Sequence, residues 1–429
     1  MSLSVIEKKV VESIEKNADK IIEFGRKVLE TPEHGYCEKI TAQMVKDEFD
    51  KLSISYRNGM AVTGIKGTLG KGDFNLAIIG ELDAVTCFGH DNCNAKSGAA
   101  HACGHNAQLA AMIGAAYGLS QSGVMQELGG KVTFFATPAE EYIELDYRKK
   151  LRDEGKIKFL AGKQQLIYEG EFDDVDAAMM VHAQGNSPEE AMYVHGSNMG
   201  FFCKSITFRG KAVHASTPYD GVNALNAAAL AILGIHANRE TFREEDKIRI
   251  HPIITKGGDV VNSVPDEVCM YSYIRGSNMP AIKNASQCAD RAIYGAAQMV
   301  GATAEIETNC GYLPLKQDRE FGNVFKEVAA EFLENEKIYE DRDIIGSTDI
   351  GDLSHLLPVI QPSSGGFDGA LHSTEFHVSD ENAAYILPAK IMAVTAVRLL
   401  ENGAKLGKKI KEEFTPIMTK EEYINLLLK

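Results

Sequence analysis

A cysteine and a histidine two residues apart, Cys103 and His105, stand directly before a helical pattern over residues 107–119. Cysteine and histidine are preferred ligands of zinc and other borderline metal ions. The pair therefore indicates a metal site at the start of a helix. Taken alone, the pair fits a buried cysteine beside surface histidines better than a metal site, so the surrounding pattern has to decide.

That surrounding pattern alternates strands with helices. Residues 75–82 form a continuous apolar run, typical of a central strand covered on both faces, and further strands are predicted at 131–136 and 177–181. This order predicts an open α/β sheet, which binds ligands beyond the carboxyl ends of its strands. Asp83, Glu140-Glu141 and His182 each follow the end of a proposed strand.

The pattern changes near residue 195. Strands at 201–208, 249–255 and 268–274 and helices at 222–238 and 281–300 predict a small α+β domain, a sheet with two helices on one face. The first domain opens with helices over 5–29 and 40–52 and closes with one over 382–400. We therefore expect a discontinuous domain (1–194 and 308–429) with a second domain (195–307) inserted in it.

The composition argues against two classes of function, nucleic-acid binding and membrane spanning, and indicates the state of the cysteines. A net charge of −15 argues against nucleic acid as a partner, because phosphate binding needs clustered lysine and arginine. No apolar run approaches the roughly 18 residues of a membrane helix. The eight cysteines lack the spacing of a disulfide framework, so we expect reduced thiols in a cytoplasmic protein.

Each residue that could take part in catalysis or metal binding could also have an ordinary structural role. A catalytic metal centre needs protein ligands, an open position and a nearby base. The candidate ligands are Cys103, His105, Glu141, His182 and a C-terminal histidine, either His372 or His377. Glu140-Glu141 could instead be a solvated loop, His182 a sheet-end histidine and His214 an exposed turn residue.

Three further residues have two readings. Asp83 could cap a loop, or it could fix which ring nitrogen of a ligand histidine faces a metal. Asn262 and Arg275 could be ordinary turn and strand-edge groups, or they could present an amide and a guanidinium to a substrate carbonyl and carboxylate.

Six ordered motifs resemble one family. They are Glu81-Leu82-Asp83-Ala84, residues 101–106, residues 138–141, residues 210–216, residues 260–266 and residues 371–376. The chain resembles the dinuclear-metal amidohydrolases that include aminoacylases, hippurate hydrolases and auxin-conjugate hydrolases. Asn106 and residues 346–355 are most similar to the p-aminobenzoyl-glutamate hydrolase and β-alanyl-dipeptide hydrolase branch.

The resemblance implies a metallopeptidase-like catalytic domain, with a central mixed sheet flanked by helices, and an inserted ferredoxin-like lid and dimerisation domain. It implies two divalent ions, zinc or manganese with cobalt possible, held by Cys103, His105, Glu141, His182 and His372. His377 then becomes the less favoured C-terminal ligand.

The resemblance also implies roles in catalysis. Glu140 is expected to be the general base for the attacking water, and Asp83 to support a ligand from behind. His214 is expected to polarise the scissile carbonyl in a neighbouring subunit's active site, which implies a homodimer through the inserted domain. Asn262 and Arg275 are expected to hold a small substrate, with Arg275 pairing with its carboxylate.

Two segments depart from the commoner pattern of the family. Residues 85–100 add Cys87, His90 and Cys93 as potential ligands, and the polar stretch 143–169 is longer than the simplest relatives need. Two other functions remain open from the residues alone: a thiol hydrolase with Cys103 as nucleophile, and a catalytically silent binder of an acidic small molecule.

Overall fold

The computed structural model describes residues 3–343 and 345–428, and these form two compact units. The first unit comprises 3–196, 316–343 and 352–420. The second comprises 197–315, 345–351 and 421–428. The chain therefore leaves the first unit near residue 196 and returns to it near residue 316.

The helices and strands are numbered in chain order. The helices are α1 (Val5–Lys16), α2 (Ala18–Glu30), α3 (Lys39–Lys51), α4 (His105–Gln121), α5 (Leu145–Asp153), α6 (Gly162–Glu169), α7 (Ala224–Ala237), α8 (Met279–Met299), α9 (Arg319–Ala329), α10 (Ile350–Ser354), α11 (Leu387–Glu413) and α12 (Lys420–Leu427). The strands are β1 (Ser55–Met60), β2 (Gly64–Gly70), β3 (Phe74–Glu81), β4 (Val85–Thr86), β5 (Ala99–Ala100), β6 (Gly130–Thr137), β7 (Ala177–Met179), β8 (His182–Ala183), β9 (Met192–Val194), β10 (Gly200–Arg209), β11 (Arg249–Lys256), β12 (Glu267–Gly276), β13 (Thr303–Cys310), β14 (Ile338–Glu340), β15 (Val359–Ile360), β16 (Ser363–Ser364), β17 (Phe367–Asp368) and β18 (His377–Val378).

The first unit is built on a mixed six-stranded sheet in the order β1-β2-β6-β3-β7-β15. β6, β3, β7 and β15 run parallel, while β1 and β2 add an antiparallel edge. Every residue of β3 is buried, as its continuous apolar sequence predicts. Because β3, β6 and β7 are parallel, their carboxyl ends meet at one edge of the sheet.

The second unit is a four-stranded antiparallel sheet in the order β11-β12-β10-β13, with α7 and α8 packed on one face. Its chain order is strand, helix, strand, strand, helix, strand, which is the ferredoxin-like arrangement. The predicted fold class, a mixed sheet flanked by helices together with a ferredoxin-like second domain, is therefore confirmed.

The predicted first helix, 5–29, is wrong in one respect because it is two helices. Ser4 and Glu7 form a capping box that starts α1. Asn17 ends α1 with non-helical backbone angles, and its side-chain amide donates to the carbonyl of Ser13. Asparagine competes for backbone hydrogen bonds in this way, so it favours a break between α1 and α2.

Other differences lie in segments that lack clear periodicity. Strand β1 was not predicted, because its residues are mostly exposed and polar. The polar stretch 143–169 was predicted only as an insertion, yet it forms α5 and α6. Both helices belong to the first unit and bury side chains in it.

The last long helical segment, Asn382–Glu413, is long and apolar enough by composition to cross a membrane. Within the first unit, 89% of its apolar window is buried in protein. It packs against α4, α1 and α9. Its apolar character is therefore that of a core helix.

The start of α6 depends on a glycine. A Cβ placed on Gly162 would lie 1.6 Å from the carbonyl oxygen of Pro138. We expect Gly162→Ala to lower the free energy of unfolding by about 1–3 kcal/mol through overpacking. Gly295→Ala is the control, since nothing lies within 4 Å of its added Cβ and alanine favours the interior of α8. Urea unfolding of both variants is the measurement, and equal midpoints would contradict the close approach.

Candidate metal centre

The carboxyl edge of the first unit's sheet gathers polar side chains from separate strands. Glu81 ends β3 and Asp83 follows it. Glu140 and Glu141 come shortly after the end of β6, and His182 opens β8 just beyond β7. The four carboxylates are all buried. This is the edge where open α/β sheets bind ligands.

A left-handed glycine brings Cys103 and His105 to the same edge. Gly104 has a φ of 78°, and α4 begins at the next residue. A Cβ on Gly104 would lie 2.5 Å from the Cβ of Ala183, so only glycine fits between the two chain segments. The turn sets Cys103 beside His182.

The first cluster of possible ligands contains Cys103, His105 and His182. One donor atom from each lies within 4.8 Å of the others. The Cys103 Sγ atom is 3.6 Å from His182 Nε2. All three residues come from the sheet edge and the start of α4.

The second cluster contains Cys103, Glu141 and His372, and so shares the thiol with the first. His372 Nε2 is 3.2 Å from Cys103 Sγ and 3.2 Å from Glu141 Oε1. His372 adopts the left-handed conformation, with a φ of 64°, and its backbone N–H donates to the carbonyl of Ala102. Strained backbone of this kind clusters at functional sites.

Hydrogen bonds fix which ring nitrogen two of the histidines turn inward. His105 Nδ1 lies 2.8 Å from the Asp83 carbonyl oxygen, and His182 Nδ1 lies 2.8 Å from the Ala183 carbonyl oxygen. A carbonyl only accepts, so each Nδ1 carries the proton and donates. In the neutral form that metal binding requires, each ring therefore leaves the lone pair of Nε2 facing the cluster.

The donor set fits a pair of divalent cations. A tetrahedral ion with bonds of about 2.3 Å to sulfur and about 2.1 Å to nitrogen holds those two atoms roughly 3.6 Å apart. The observed separations from Cys103 Sγ are 3.6 Å and 3.2 Å. Within the described residues, His105 Nε2 and Glu141 Oε1 are buried and have no hydrogen bond of good geometry. Two cations sharing Cys103 would satisfy both atoms.

The electrostatic surroundings favour a thiolate at Cys103. Burial and the Glu141 charge raise the pKa of this thiol, but the neighbouring imidazoles of His182 and His105 have the larger, opposite effect and lower the pKa to about 6. Hydrogen bonds to Cys103 and Glu141 raise the pKa of His372 to about 11. The thiolate is the form of cysteine that binds metals and acts as a nucleophile.

Asp83 supports two of these residues from behind. Its Oδ2 accepts a hydrogen bond of 2.9 Å from the Glu141 N–H, and its Oδ1 is 3.4 Å from His105 Nδ1. Burial acts to raise the pKa of Asp83, but the hydrogen bond and charge of His105 outweigh it and the pKa is lowered. Asp83 therefore stays ionised, and it holds the Glu141 backbone and the His105 ring in place.

Two residues that the sequence did not single out hold the turn bearing Glu140. Arg148, from α5, is fully buried and donates to the carbonyls of Ala139, Glu141 and Leu160. The buried carboxylate of Glu38 accepts from the Ala139 N–H at 2.8 Å. Ala139 itself has a φ of 54°. The Arg148 guanidinium and the Glu38 carboxyl group thus fix a strained turn on both sides.

Glu81 and Lys163 were missed as well. Glu81 belongs to the first quoted motif, but no role was assigned to it. Lys163 lies in the polar stretch 143–169, where a lysine ordinarily indicates an exposed surface. In the structure both are fully buried, and their charged atoms are 2.5 Å apart.

The other histidines and cysteines considered from the sequence lie outside the described ligand groups. Both ring nitrogens of His90 are engaged, by the Phe376 carbonyl and the Asn92 N–H. Cys87 contacts the backbone oxygen of His372 rather than joining a cluster. The side chain of His377 is 62% exposed.

His214, Asn262 and Arg275 all lie in the second unit. His214 and Asn262 are exposed and belong to neighbouring loop segments. The Arg275 guanidinium donates to Ser347 Oγ at 2.9 Å and stands over the rings of Phe201 and Tyr273. Burial lowers its pKa. Over residues 3–343 and 345–428, no carboxylate lies within ion-pair distance of Arg275.

A buried cluster of thiolate, imidazole and carboxylate donors at the carboxyl edge of an α/β sheet is the arrangement of a metal-dependent hydrolase. Comparison with known proteins agrees. The family described as "Peptidase dimerisation domain" matches residues 197–293. Human Xaa-Arg dipeptidase is 31% identical over 350 residues, covering 77% of this chain and 73% of that protein.

Two further similarities extend over most of the chain. An Arabidopsis thaliana IAA-amino acid hydrolase, ILR1-like 2, is 26% identical over 413 residues, covering 91% of this chain and 87% of its own. The crystal structure of the Bacillus subtilis YXEP protein, a dinuclear metal binding peptidase from the M20 family, matches with a TM-score of 0.69 and 23% identity, covering 90% of this chain and 99% of that chain.

The chain therefore belongs to the M20 family of metallopeptidases, and it is a hydrolase acting on peptide or amide bonds. The family resemblance drawn from the six motifs is confirmed.

The depressed pKa of Cys103 gives a chemical test. In metal-free protein we expect the rate of iodoacetamide labelling at Cys103 to be half-maximal near a pH of about 6, because the thiolate persists to that pH. Added Zn²⁺ should protect the thiol. Peptide mass spectrometry with Cys103→Ser as control measures both effects. Labelling that Zn²⁺ does not slow would favour the thiol hydrolase instead.

Glu38 gives a test of pH-dependent stability. Burial and the Asp83 charge raise the pKa of Glu38 to about 7 from 4.5. A carboxyl whose pKa is raised by folding stabilises the protein at low pH and loses that contribution as pH rises through about 4.5 to 7. As the pH rises from about 5 to about 8, we expect the unmodified protein to lose up to about 3 kcal/mol of unfolding free energy through Glu38. Glu38→Gln has no such carboxyl group and should not show this loss. Urea unfolding at both pH values measures it; a pH-independent difference would contradict the raised pKa.

Proposed function

We propose that this protein is a metal-dependent amidohydrolase that cleaves the amide bond of a small N-acyl amino acid or dipeptide-like substrate with a free carboxylate. The observation that carries the proposal is the sharing of Cys103 between two groups of converging ligands. A shared thiolate suits two adjacent cations rather than one. Family membership supports the same reaction class.

The proposed ligands divide into two sets around Cys103. His105 and His182 complete the first, while Glu141 and His372 complete the second. Zinc or manganese is the proposed metal, with cobalt possible, because imidazole and thiolate favour zinc while availability also decides occupancy. When bound, two divalent cations polarise a carbonyl and lower the pKa of water toward neutrality.

Glu140 is the proposed general base. It is a buried carboxylate on the turn fixed by Arg148 and Glu38, and its Oε2 lies 3.9 Å from His105 Nε2. From there Glu140 takes a proton from the attacking water and delivers it to the leaving amine. Positioned acid–base groups of this kind contribute about 10²- to 10⁴-fold in rate.

The proposed substrate class rests on Arg275 and on the names of the relatives. Arg275 is a half-buried guanidinium with aromatic walls and no carboxylate partner in the described chain. A planar guanidinium in that state is suited to a substrate carboxylate. Asn262 is proposed to bind the same substrate through its amide. By their names, Xaa-Arg dipeptidase acts on a dipeptide and IAA-amino acid hydrolase acts on a conjugate of an amino acid.

His214 is proposed to polarise the scissile carbonyl. The Ser216 N–H donates to its Nδ1 at 3.1 Å, which leaves the proton of the neutral ring on Nε2. The exposed Nε2–H can then donate to a substrate oxygen. We propose that it does so in a partner subunit, within a homodimer formed through the second unit, which carries the dimerisation-domain match.

A cytoplasmic location is proposed from the acidic composition and from the cysteines, all eight of which are free thiols. No nucleic-acid or membrane partner is proposed.

Cys103 also has the contacts of a nucleophile, because His372 Nε2 is 3.2 Å from its sulfur. The metal assignment is favoured because imidazoles approach this sulfur from two sides, with His182 on the other. A nucleophilic thiol needs an open face toward the substrate, and Cys103 is only 6% exposed.

Glu140→Gln tests the proposed function. We expect the variant to retain two equivalents of bound metal while kcat falls by about 10²- to 10⁴-fold with little change in KM, because only proton transfer is lost. Metal analysis and hydrolysis of N-acyl amino acids, aminobenzoyl-glutamate and β-alanyl dipeptides are the measurements. Glu144→Gln, at an exposed carboxylate nearby, is the control. Near-normal turnover by Glu140→Gln would refute the assignment of the base.

A further inference from the structure

Glu81 is a buried carboxylate at the metal centre that the proposed reaction does not use. Its Oε1 is 2.5 Å from Lys163 Nζ. Its Oε2 accepts a hydrogen bond of 2.8 Å from Gln108 Nε2 and lies 3.1 Å from His105 Nε2. None of these four side chains reaches solvent to any useful extent.

Glu81, His105 and Glu140 form a third group of donors able to hold a metal ion, with one donor atom of each within 4.8 Å of the others. The group has two carboxylates and one imidazole, a set that suits manganese and zinc. It also contains the proposed base and one proposed ligand. An ion held there would engage the Glu140 carboxylate and draw His105 away from Cys103.

Lys163 places a fixed positive charge on this third group. Its helix, α6, begins at Gly162, which packs against the carbonyl of Pro138 two residues before Glu140. The ammonium is therefore anchored by the backbone close to the turn that bears the base. A tethered cation paired with Glu81 both occupies one carboxylate oxygen and repels a divalent ion.

We propose that Lys163 serves as an internal cation that keeps a third metal ion out of the Glu81–His105–Glu140 group. Glu81 is then neutralised without becoming a ligand, Glu140 stays available for proton transfer, and His105 stays with the pair of ions at Cys103. The inference rests on the proposed function, since it assigns Glu140 as base and His105 as ligand.

The test is metal binding by Lys163→Met, which keeps the length of the side chain and removes its charge. We expect this variant to bind one more equivalent of Mn²⁺ than the unmodified protein in equilibrium dialysis with elemental analysis. Excess Mn²⁺ should inhibit its hydrolysis at a concentration at least about tenfold lower than for the unmodified protein.

Three further variants separate charge from packing. Lys163→Arg keeps the charge and should bind the same equivalents as the unmodified protein. Glu81→Gln combined with Lys163→Met removes both charges, so it should bind no extra ion. Lys163→Gln keeps one hydrogen-bond donor for Glu81 and should again gain an equivalent. It serves as the test variant where Lys163→Met does not fold, because an unpaired buried carboxylate is strongly destabilising.

The outcomes distinguish the two proposals. A gain of one equivalent in the uncharged single variants, abolished in the double variant, supports the role of Lys163. Unchanged stoichiometry and unchanged Mn²⁺ inhibition in folded Lys163→Met or Lys163→Gln overturn it and leave the hydrolase proposal intact. An unmodified protein that binds no Mn²⁺ or Zn²⁺ would defeat the proposed function itself.

Discussion

Burial of several acidic groups at one edge of one sheet is the constraint on which the rest of the first unit depends. Glu81, Asp83, Glu140 and Glu141 are all shielded from solvent beside the thiol of Cys103. Burying a charge without a partner is strongly unfavourable, so each must meet a cation or a hydrogen-bond donor. Lys163 lies within ion-pair distance of Glu81, His105 of Asp83, and His372 of Glu141. Divalent ions are the partners that would balance the remaining charge while leaving the histidines neutral.

This constraint explains why a segment that reads as a polar insertion is part of the core. The stretch 143–169 supplies two fully buried cations, Arg148 and Lys163. Two glycines leave the space that these side chains need. A Cβ on Gly35 would come 2.3 Å from Arg148 Nη2, and Gly162 packs directly against Pro138. The stretch 143–169 thus carries the positive charges, while the negative charges lie at the carboxyl ends of the strands. The two halves of the site stabilise each other.

The sequence predicts the parts of this arrangement that have a local signal. The apolar run of β3 and the small-residue pattern of α4 identify a covered strand and a helix, and Cys103 and His105 mark the start of that helix. That His372 approaches Cys103, 269 residues earlier in the chain, has no local signal. It could be expected only from the family resemblance, and the assignment of these residues as ligands stays a prediction.

Arg148 and Lys163 show why the remainder escaped prediction. Arginine and lysine are nearly always exposed unless paired, and pairing is a property of the folded structure rather than of the surrounding sequence. The break at Asn17 escaped for a related reason, because both helices keep their apolar faces in phase across it. Strand β1, at the edge of the sheet, has mostly exposed residues and therefore no alternation to detect.

The two units differ in the charge that each leaves unbalanced. The first unit buries several carboxylates beside Cys103, whose thiol favours the thiolate form, and these negative groups need cations as partners. The second holds Arg275, a desolvated guanidinium whose described neighbours are a hydroxyl and two aromatic rings. Burial without a counter-ion weakens the charged form, as the lowered pKa of Arg275 reflects, and a guanidinium in such surroundings is suited to an anionic partner. The carboxylate of the proposed substrate would supply that anion.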